Sequence, residues 1–136
     1  MAADLQIDIV TPKEKIYSGF ADSVTLPGTK SPFQVLKNHA PIVSALDIGS
    51  IKVQTNGKIE DVFATSEGFA EISENKVSVI VETAVSAKED NAELIEKEIE
   101  SLQATLANLE SDDHVKILNE IELLENRQKA LERLQG

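Results

Sequence analysis

Through the first 83 residues, apolar and polar positions alternate in short runs broken by Gly, Pro and Asn. From Asp90 onward, apolar positions recur every three or four residues, with no Gly or Pro before Gly136. A period of two lays one face of a strand against a core, and a period near three and a half does the same for a helix. The change between Thr83 and Asp90 therefore predicts two differently built modules, a β module over 1–85 and a helical one over 86–136.

Within the β module, Leu5, Ile7 and Ile9 alternate with Gln6 and Asp8 as in a half-buried strand that Thr11-Pro12 ends. Val24 and Leu26 indicate a strand closed by Pro27-Gly28. Phe33 to Leu36 and Ile42 to Leu46 are short runs on either side of Asn38-His39-Ala40-Pro41. Ile51 and Val53 lead into Asn56-Gly57, and Ile59 to Ala64 resumes. Asn-Gly between alternating runs predicts a type I′ hairpin, because both turn residues need positive φ. Phe69 to Ile72, the turn Glu74-Asn75, and Val77, Val79 and Val81 predict a second hairpin. About eight to ten short strands at this spacing fit a small sandwich or flattened barrel rather than a βαβ fold.

The helical part opens with Ser86 and Glu89 at capping-box spacing, followed by Asp90 and Glu93 in the first turns. Leu94, Ile95, Ile99, Leu102, Leu106 and Leu109 form one stripe. Ser111, Asp112 and Asp113 interrupt it with N-cap chemistry. A second stripe runs through Leu118, Ile121, Leu124 or Glu125, Gln128, Leu131 and Leu134, with Gln128 its weak place. Two helices of roughly 20 residues, each on the order of 30 Å long, predict an antiparallel hairpin. Two narrow stripes that bury each other leave little to hold the pair on anything else, so the hairpin is expected to be marginally stable and able to move.

Composition narrows the function. The chain has 136 residues, no Cys, no Trp and a net charge of −11. Residues 1–87 carry 7 Lys against 11 acids, and residues 88–136 carry 6 basic against 13 acidic residues, so both modules repel a phosphate backbone and nucleic acid is not an expected partner. Without Cys there is neither a disulfide framework nor a thiolate metal site. No apolar run is long enough to span a bilayer, and no apolar stretch with a cleavage site follows Met1, so the expectation is a soluble chain made without an export signal.

Catalytic chemistry is not expected. His39 and His114 lie in different modules, Gly49, Gly57 and Gly68 are isolated turn glycines, and Asp112-Asp113 and Glu60-Asp61 lack metal-ligand spacing. Two features stand out instead. The segment from Leu26 to Pro41 is crowded with Pro, Gly and Lys and carries an exposed-looking Phe33. It reads equally as a partner-binding loop or as a place where Pro32 and Pro41 block edge pairing. The second is the basic set Arg127, Lys129 and Arg133, which includes both arginines of the chain. These cations suit the C-terminal end of a helix dipole, and they also suit an acidic protein surface.

Five segments in order resemble the epsilon subunit of F-type ATP synthases. They are Ile9-Val10-Thr11-Pro12 with Tyr17-Ser18-Gly19; Val24-Thr25-Leu26-Pro27-Gly28-Thr29; Asn38-His39-Ala40-Pro41-Ile42; Ser66-Glu67-Gly68-Phe69-Ala70-Glu71-Ile72; and Val77-Ser78-Val79-Ile80-Val81-Glu82-Thr83-Ala84. The resemblance implies an N-terminal β-sandwich followed by a C-terminal antiparallel two-helix hairpin. It implies a non-catalytic rotor subunit on the cytoplasmic face of the energy-transducing plasma membrane, or the organellar equivalent. Its sandwich would bind the gamma subunit and the c-ring loops. Its hairpin would fold on the sandwich or extend toward the beta and alpha subunits and restrain ATP hydrolysis. By the same resemblance, Lys30, Ser31, Pro32 and Phe33, leading to His39, form the ring-facing loop, although the common Gly-Glu-x-Gly turn is replaced here by Ser31-Pro32-Phe33-Gln34. Arg127, Lys129 and Arg133 would face an acidic segment of the beta subunit. Some members bind ATP through an Ile/Leu-Asp-x-x-Arg-Ala motif, but this chain has Asp90-Asn91-Ala92-Glu93-Leu94-Ile95-Glu96 there, with no Arg before Arg127. Weak or absent ATP binding is the expectation, with no cofactor and no metal. A rival reading is a coiled-coil adaptor or chaperone-like protein that probes another machine with Asp112-Asp113 at its tip.

Overall fold

The computed structural model describes residues 4–108 and 114–135. Ten strands build two five-stranded sheets. They are β1 (Leu5–Val10), β2 (Lys15–Ala21), β3 (Ser23–Leu26), β4 (Phe33–Leu36), β5 (Ile42–Leu46), β6 (Gly49–Thr55), β7 (Lys58–Thr65), β8 (Gly68–Ser73), β9 (Lys76–Val81) and β10 (Ala84–Ser86). One sheet has the order β2-β1-β9-β8-β5 and the other β10-β7-β6-β3-β4. The pairing of β1 with β9 is parallel and joins the two ends of the module, so the sandwich closes only once nearly all of it has been laid down.

Alternation builds the core between the sheets. Leu5, Ile7 and Ile9 of β1 lie beside Val77, Val79 and Val81 of the neighbouring β9 and share one buried core with Ile51 and Val53 of β6 in the other sheet. Tyr17 packs its ring against Phe63 at a centroid distance of 5.2 Å, and this burial raises the Tyr17 phenol above its ordinary pKa, with Glu60 and Asp61 adding to the effect. Asn56-Gly57 turns with φ of 55° and 76°, as the type I′ reading requires, and Glu74-Asn75 repeats it at 52° and 63°. The burial of β2 alternates from Tyr17 to Ala21, but its hydropathy does not, because Gly19 stands on the inward face and the exposed Phe20 on the outward one, so the apolar pattern marks no strand there.

The helical module departs from the sequence expectation at its start. Ser86 and Glu89 do not form a capping box. A single 3₁₀ turn, Ala87–Glu89, follows β10, and Ser86 makes no side-chain cap. The helix α1 (Ala92–Ala107) is capped by Asn91, whose side-chain oxygen accepts the Leu94 N–H at 3.1 Å. The Ser86 hydroxyl is instead turned to the Asp61 carboxylate on β7. The helix α2 (His114–Gln135) returns along α1. Leu109, the last member of the first apolar stripe, and Ser111, Asp112 and Asp113, which interrupt the two stripes, lie outside the described residues.

Ile95 and Ile99 of α1 and Ile121 and Leu124 of α2 form the hairpin's own core, with Leu102, Leu106, Ile117 and Leu131 at its edges. Leu94 and Leu118, read as stripe members, are 63% and 51% exposed. A second face of α2 leaves the hairpin altogether. Ala130 is buried against Val62, Ala64 and Ala87, with Leu131, Leu134 and Ile59 around them. The hairpin thus rests on β7, and it does so through small side chains.

Candidate functional site

The segment expected to face a partner splits into two places. Lys30, Ser31 and Pro32 are exposed in the loop before β4, and His39 lies in the loop after it. These loops leave β4 from opposite ends, so the fold does not bring His39 to Lys30. Phe33 is not the exposed ring that the sequence suggested. It is half-buried on the sandwich core, and its ring lies so close over Gly28 that a Cβ there would collide with it and with the Ser31 carbonyl. That close approach is the reason for Gly28. Asp47 N–H to the Pro27 carbonyl at 2.9 Å and Thr29 N–H to the Ala45 carbonyl at 3.1 Å tie the loop to the opposite sheet. At the far end, the Asn38 N–H donates to Asn75 Oδ1 at 2.6 Å, and His39 Nδ1 lies 2.7 Å from the Ala40 carbonyl. Asn38 reaches that position with φ of 65°.

The junction between hairpin and sandwich is held by three polar clamps. Asp61, buried on β7, accepts the Ser86 hydroxyl and the Lys88 N–H, the latter at 3.3 Å, and so fixes the segment leaving β10. Asn126 of α2 donates from Nδ2 to the Gly49 carbonyl at 2.7 Å and to the Thr65 carbonyl at 3.3 Å. Arg127 grips Asp90 through both arms, Nε to Oδ2 at 2.8 Å and Nη2 to Oδ1 at 2.7 Å. The Asp90 side chain is 7% exposed and that of Arg127 30%. The guanidinium bond holds the Asp90 carboxyl below its usual range, with the Asn91 N–H assisting against the cost of burial, and Asp90 in turn raises Arg127. A fork-to-fork pair of this geometry is directional as well as attractive.

The basic set is therefore divided in its use. Arg127 is committed to Asp90, and Arg133 donates from Nη1 to the Ser50 hydroxyl on β6. Lys129 is exposed and makes no ion pair among the described residues. In this arrangement both arginines fasten the hairpin down. Asp61, Asn126 and Ala130 have no counterpart among the site residues that sequence reasoning selects. An acid beside a turn, an amide in a charged helix and an alanine in a polar stretch carry no signal until the partner surface is known.

The opposite sheet is bare. Val10, Ile80, Phe69 and Ala45 are register neighbours across β1, β9, β8 and β5. Phe69 and Ile80 are 60% and 62% exposed. This row faces away from β7, so the hairpin does not cover it.

Residues 4–87 match the family described as "ATP synthase, Delta/Epsilon chain, beta-sandwich domain". This chain belongs to that family. The matched residues are the sandwich, from the start of β1 to the first residue of the 3₁₀ turn. The chain is 40% identical over 84 residues to the ATP synthase epsilon chain of Desulfitobacterium hafniense (strain DSM 10664 / DCB-2), covering 62% of this chain and 63% of that one. It is 46% identical over 88 residues to the ATP synthase epsilon chain of Nitratidesulfovibrio vulgaris (strain DP4), covering 65% of each. The similarity thus spans less than two thirds of these relatives' length. In fold the likeness reaches further. A chain of the Euglena gracilis mitochondrial ATP synthase superposes with a TM-score of 0.76 at 22% identity, covering 96% of this chain and 83% of that chain. One from the Tetrahymena thermophila mitochondrial ATP synthase central stalk and c-ring gives 0.57 at 15% identity, covering 94% and 96%. Family membership favours the epsilon subunit over the adaptor reading.

Proposed function

We propose that the chain is the non-catalytic epsilon subunit of the central stalk of a proton-translocating F-type ATP synthase. In this reading the sandwich couples c-ring rotation to the gamma subunit, and the hairpin restrains ATP hydrolysis when it leaves the sandwich. The observation that carries the proposal is the joining of a family sandwich over residues 4–87 to a hairpin held by a small, clamped interface. A core of sixteen buried apolar residues makes the sandwich a stiff coupling element. Among the described residues, four buried apolar ones, three of them Ala, join it to α2, with Ile59, Leu131 and Leu134 half-buried around them. At roughly 25 cal/mol per Å² of apolar area, the first holds a fold and the second a dock that can open.

The gamma subunit is assigned the exposed row of Val10, Ile80, Phe69 and Ala45, which is bare while the hairpin is docked. The c-ring is assigned the Lys30–Pro32 loop, with His39 serving a separate contact at the far end of β4. When the hairpin opens, Arg127 and Arg133 exchange Asp90 and Ser50 for acidic groups of the beta or alpha subunits, beside Lys129. An equilibrium of this kind moves only by the difference in binding between its two states, and exchanged arginine partners supply such a difference.

Deleting Asp90 to Gly136 tests the division of labour. The remaining sandwich is expected to assemble with gamma and to raise ATP hydrolysis of the reconstituted enzyme. Failure to join gamma would show that the modules have been given the wrong jobs, and unchanged hydrolysis would remove the inhibitory role.

A further inference from the structure

Beside α2 the sheet β10-β7-β6-β3-β4 is not fully covered, and a cleft of 610 Å³ opens there. Its floor is Thr25 of β3 and Lys52 of β6, which are register partners, with Ser50 two residues away. One wall is the loop from Pro27 to Pro32, and the other is Arg133 with Ile59. Three cations reach it, Lys30 from the loop, Lys52 from the sheet and Arg133 from the helix, against the single acid Asp47. In a chain of net charge −11 this is a local reversal of sign. Neither Lys30 nor Lys52 has an ion-pair partner among the described residues. Thr25, Thr29, Ser31 and Ser50 add hydroxyl donors, while Pro27, Pro32, Ile48 and Ile59 supply apolar surface.

Cations and hydroxyls around a partly apolar recess suit a ligand that is acceptor-rich and doubly charged at one end. We propose that this cleft binds a phosphate-bearing anion, with the phosphoryl oxygens between Lys52, Arg133 and Ser50 and Lys30 closing from the loop. A volume within the usual range of small-molecule sites leaves room for the body of the ligand along the proline wall. The Arg133 arm exists only while α2 is docked, so the anion binds the docked state better and ties the hairpin to the sandwich. The site is distinct from the Asp90 segment, six residues back along α2 at Arg127, and it rests on the docked geometry alone. The truncation assay on hydrolysis can therefore fail or succeed independently of it.

Isothermal titration of the full chain with inorganic pyrophosphate at low salt is expected to give a Kd of about 0.1–1 mM, a value natural for an open site. Lys52→Gln and Arg133→Gln should each weaken it at least fivefold, Asp47→Asn should tighten it, and Lys13→Gln, at an exposed lysine outside the cleft, should leave it unchanged. Because Lys52 lies outside the hairpin, its variant reports on the cleft without disturbing α2. Amide exchange across Asn126 to Leu134 should slow when pyrophosphate is bound. Sedimentation with phosphatidylglycerol vesicles separates the sources. Vesicle binding displaced by pyrophosphate identifies a lipid headgroup, and pyrophosphate binding without vesicle binding identifies a soluble phosphate. No saturable heat up to about 10 mM, or equal affinity in wild type, Lys52→Gln and Arg133→Gln, would overturn the site. Unaltered exchange in the bound state would overturn the tie to docking.

Discussion

Asn126 and Arg127 are consecutive on α2, yet each reaches a different part of the protein, Asn126 two carbonyls of the sandwich and Arg127 the linker acid Asp90. Breaking the second contact leaves a largely buried partner behind. Asp90→Asn should therefore loosen docking by about 1–2 kcal/mol, below the cost of breaking a fully buried pair because Arg127 keeps some solvent. Amide exchange across Asn126 to Leu134 should show the difference while the sandwich amides stay protected. The pH dependence has a fixed sign. Asp90 is held below its unfolded value near about 3.9, so its contribution is complete above about pH 5 and is lost as the pH falls through the lowered value. Exchange of the α2 amides in wild type should rise on acidification toward that of Asp90→Asn, and a constant gap between the two down to about pH 2 would contradict the assignment. Thr65 makes a separate point. Its backbone carbonyl serves Asn126, but its buried hydroxyl has no hydrogen-bond partner among the described residues. Thr65→Val keeps the shape and removes the orphan, so the thermal midpoint should rise by an amount equivalent to about 1 kcal/mol. A fall would mean the hydroxyl is satisfied in solution.

At the scale of elements, α2 is the piece with two jobs. Ile121 and Leu124 face α1, while Asn126 and Ala130 face the sandwich, so its buried positions are not one stripe. A single-stripe reading places Leu118 inside and leaves Ala130 out, and both are the reverse of what is found. The hairpin core needs only helical spacing, whereas docking needs small residues where the helix meets Val62 and Ala64, and spacing does not encode that. Ala130→Glu would force a charge against those side chains and should release the hairpin while both modules stay folded. Circular dichroism of unchanged helix content together with faster proteolysis of the linker around Asp90 would support this; unchanged proteolysis would refute it. The linker itself shows the same limit. Ser86 and Glu89 have capping-box spacing, but Asp61 takes the Ser86 hydroxyl, and the helix waits until Asn91 for its cap.

For the whole molecule, a sandwich with a real core carries a hairpin with a small dock, and the two can respond to different signals. The missing Arg after Asp90 bears on which signals. With Asp90 occupied by Arg127, the segment offers no free guanidinium to a triphosphate. Titration with ATP should give no affinity in the micromolar range, and a micromolar Kd would contradict this reading. The sequence alone determined the two modules, the type I′ turn at Asn56-Gly57, the place of the turn at Glu74-Asn75, and Ile95, Ile99, Ile121 and Leu124 of the hairpin core, though not the exposure of Leu94 and Leu118, since the former follow from local periodicity and local φ preference. The strand β2 leaves no apolar period because its inward face carries Gly19 and its outward face Phe20. Phe33 was misjudged because its neighbours in space, not in sequence, half-bury it. Only the tertiary structure decided that His39 and Lys30 lie at opposite ends of β4, that both arginines turn inward, and that Lys30, Lys52 and Arg133 share one cleft. Those relations depend on how two modules meet, and long-range contact leaves no period in the chain.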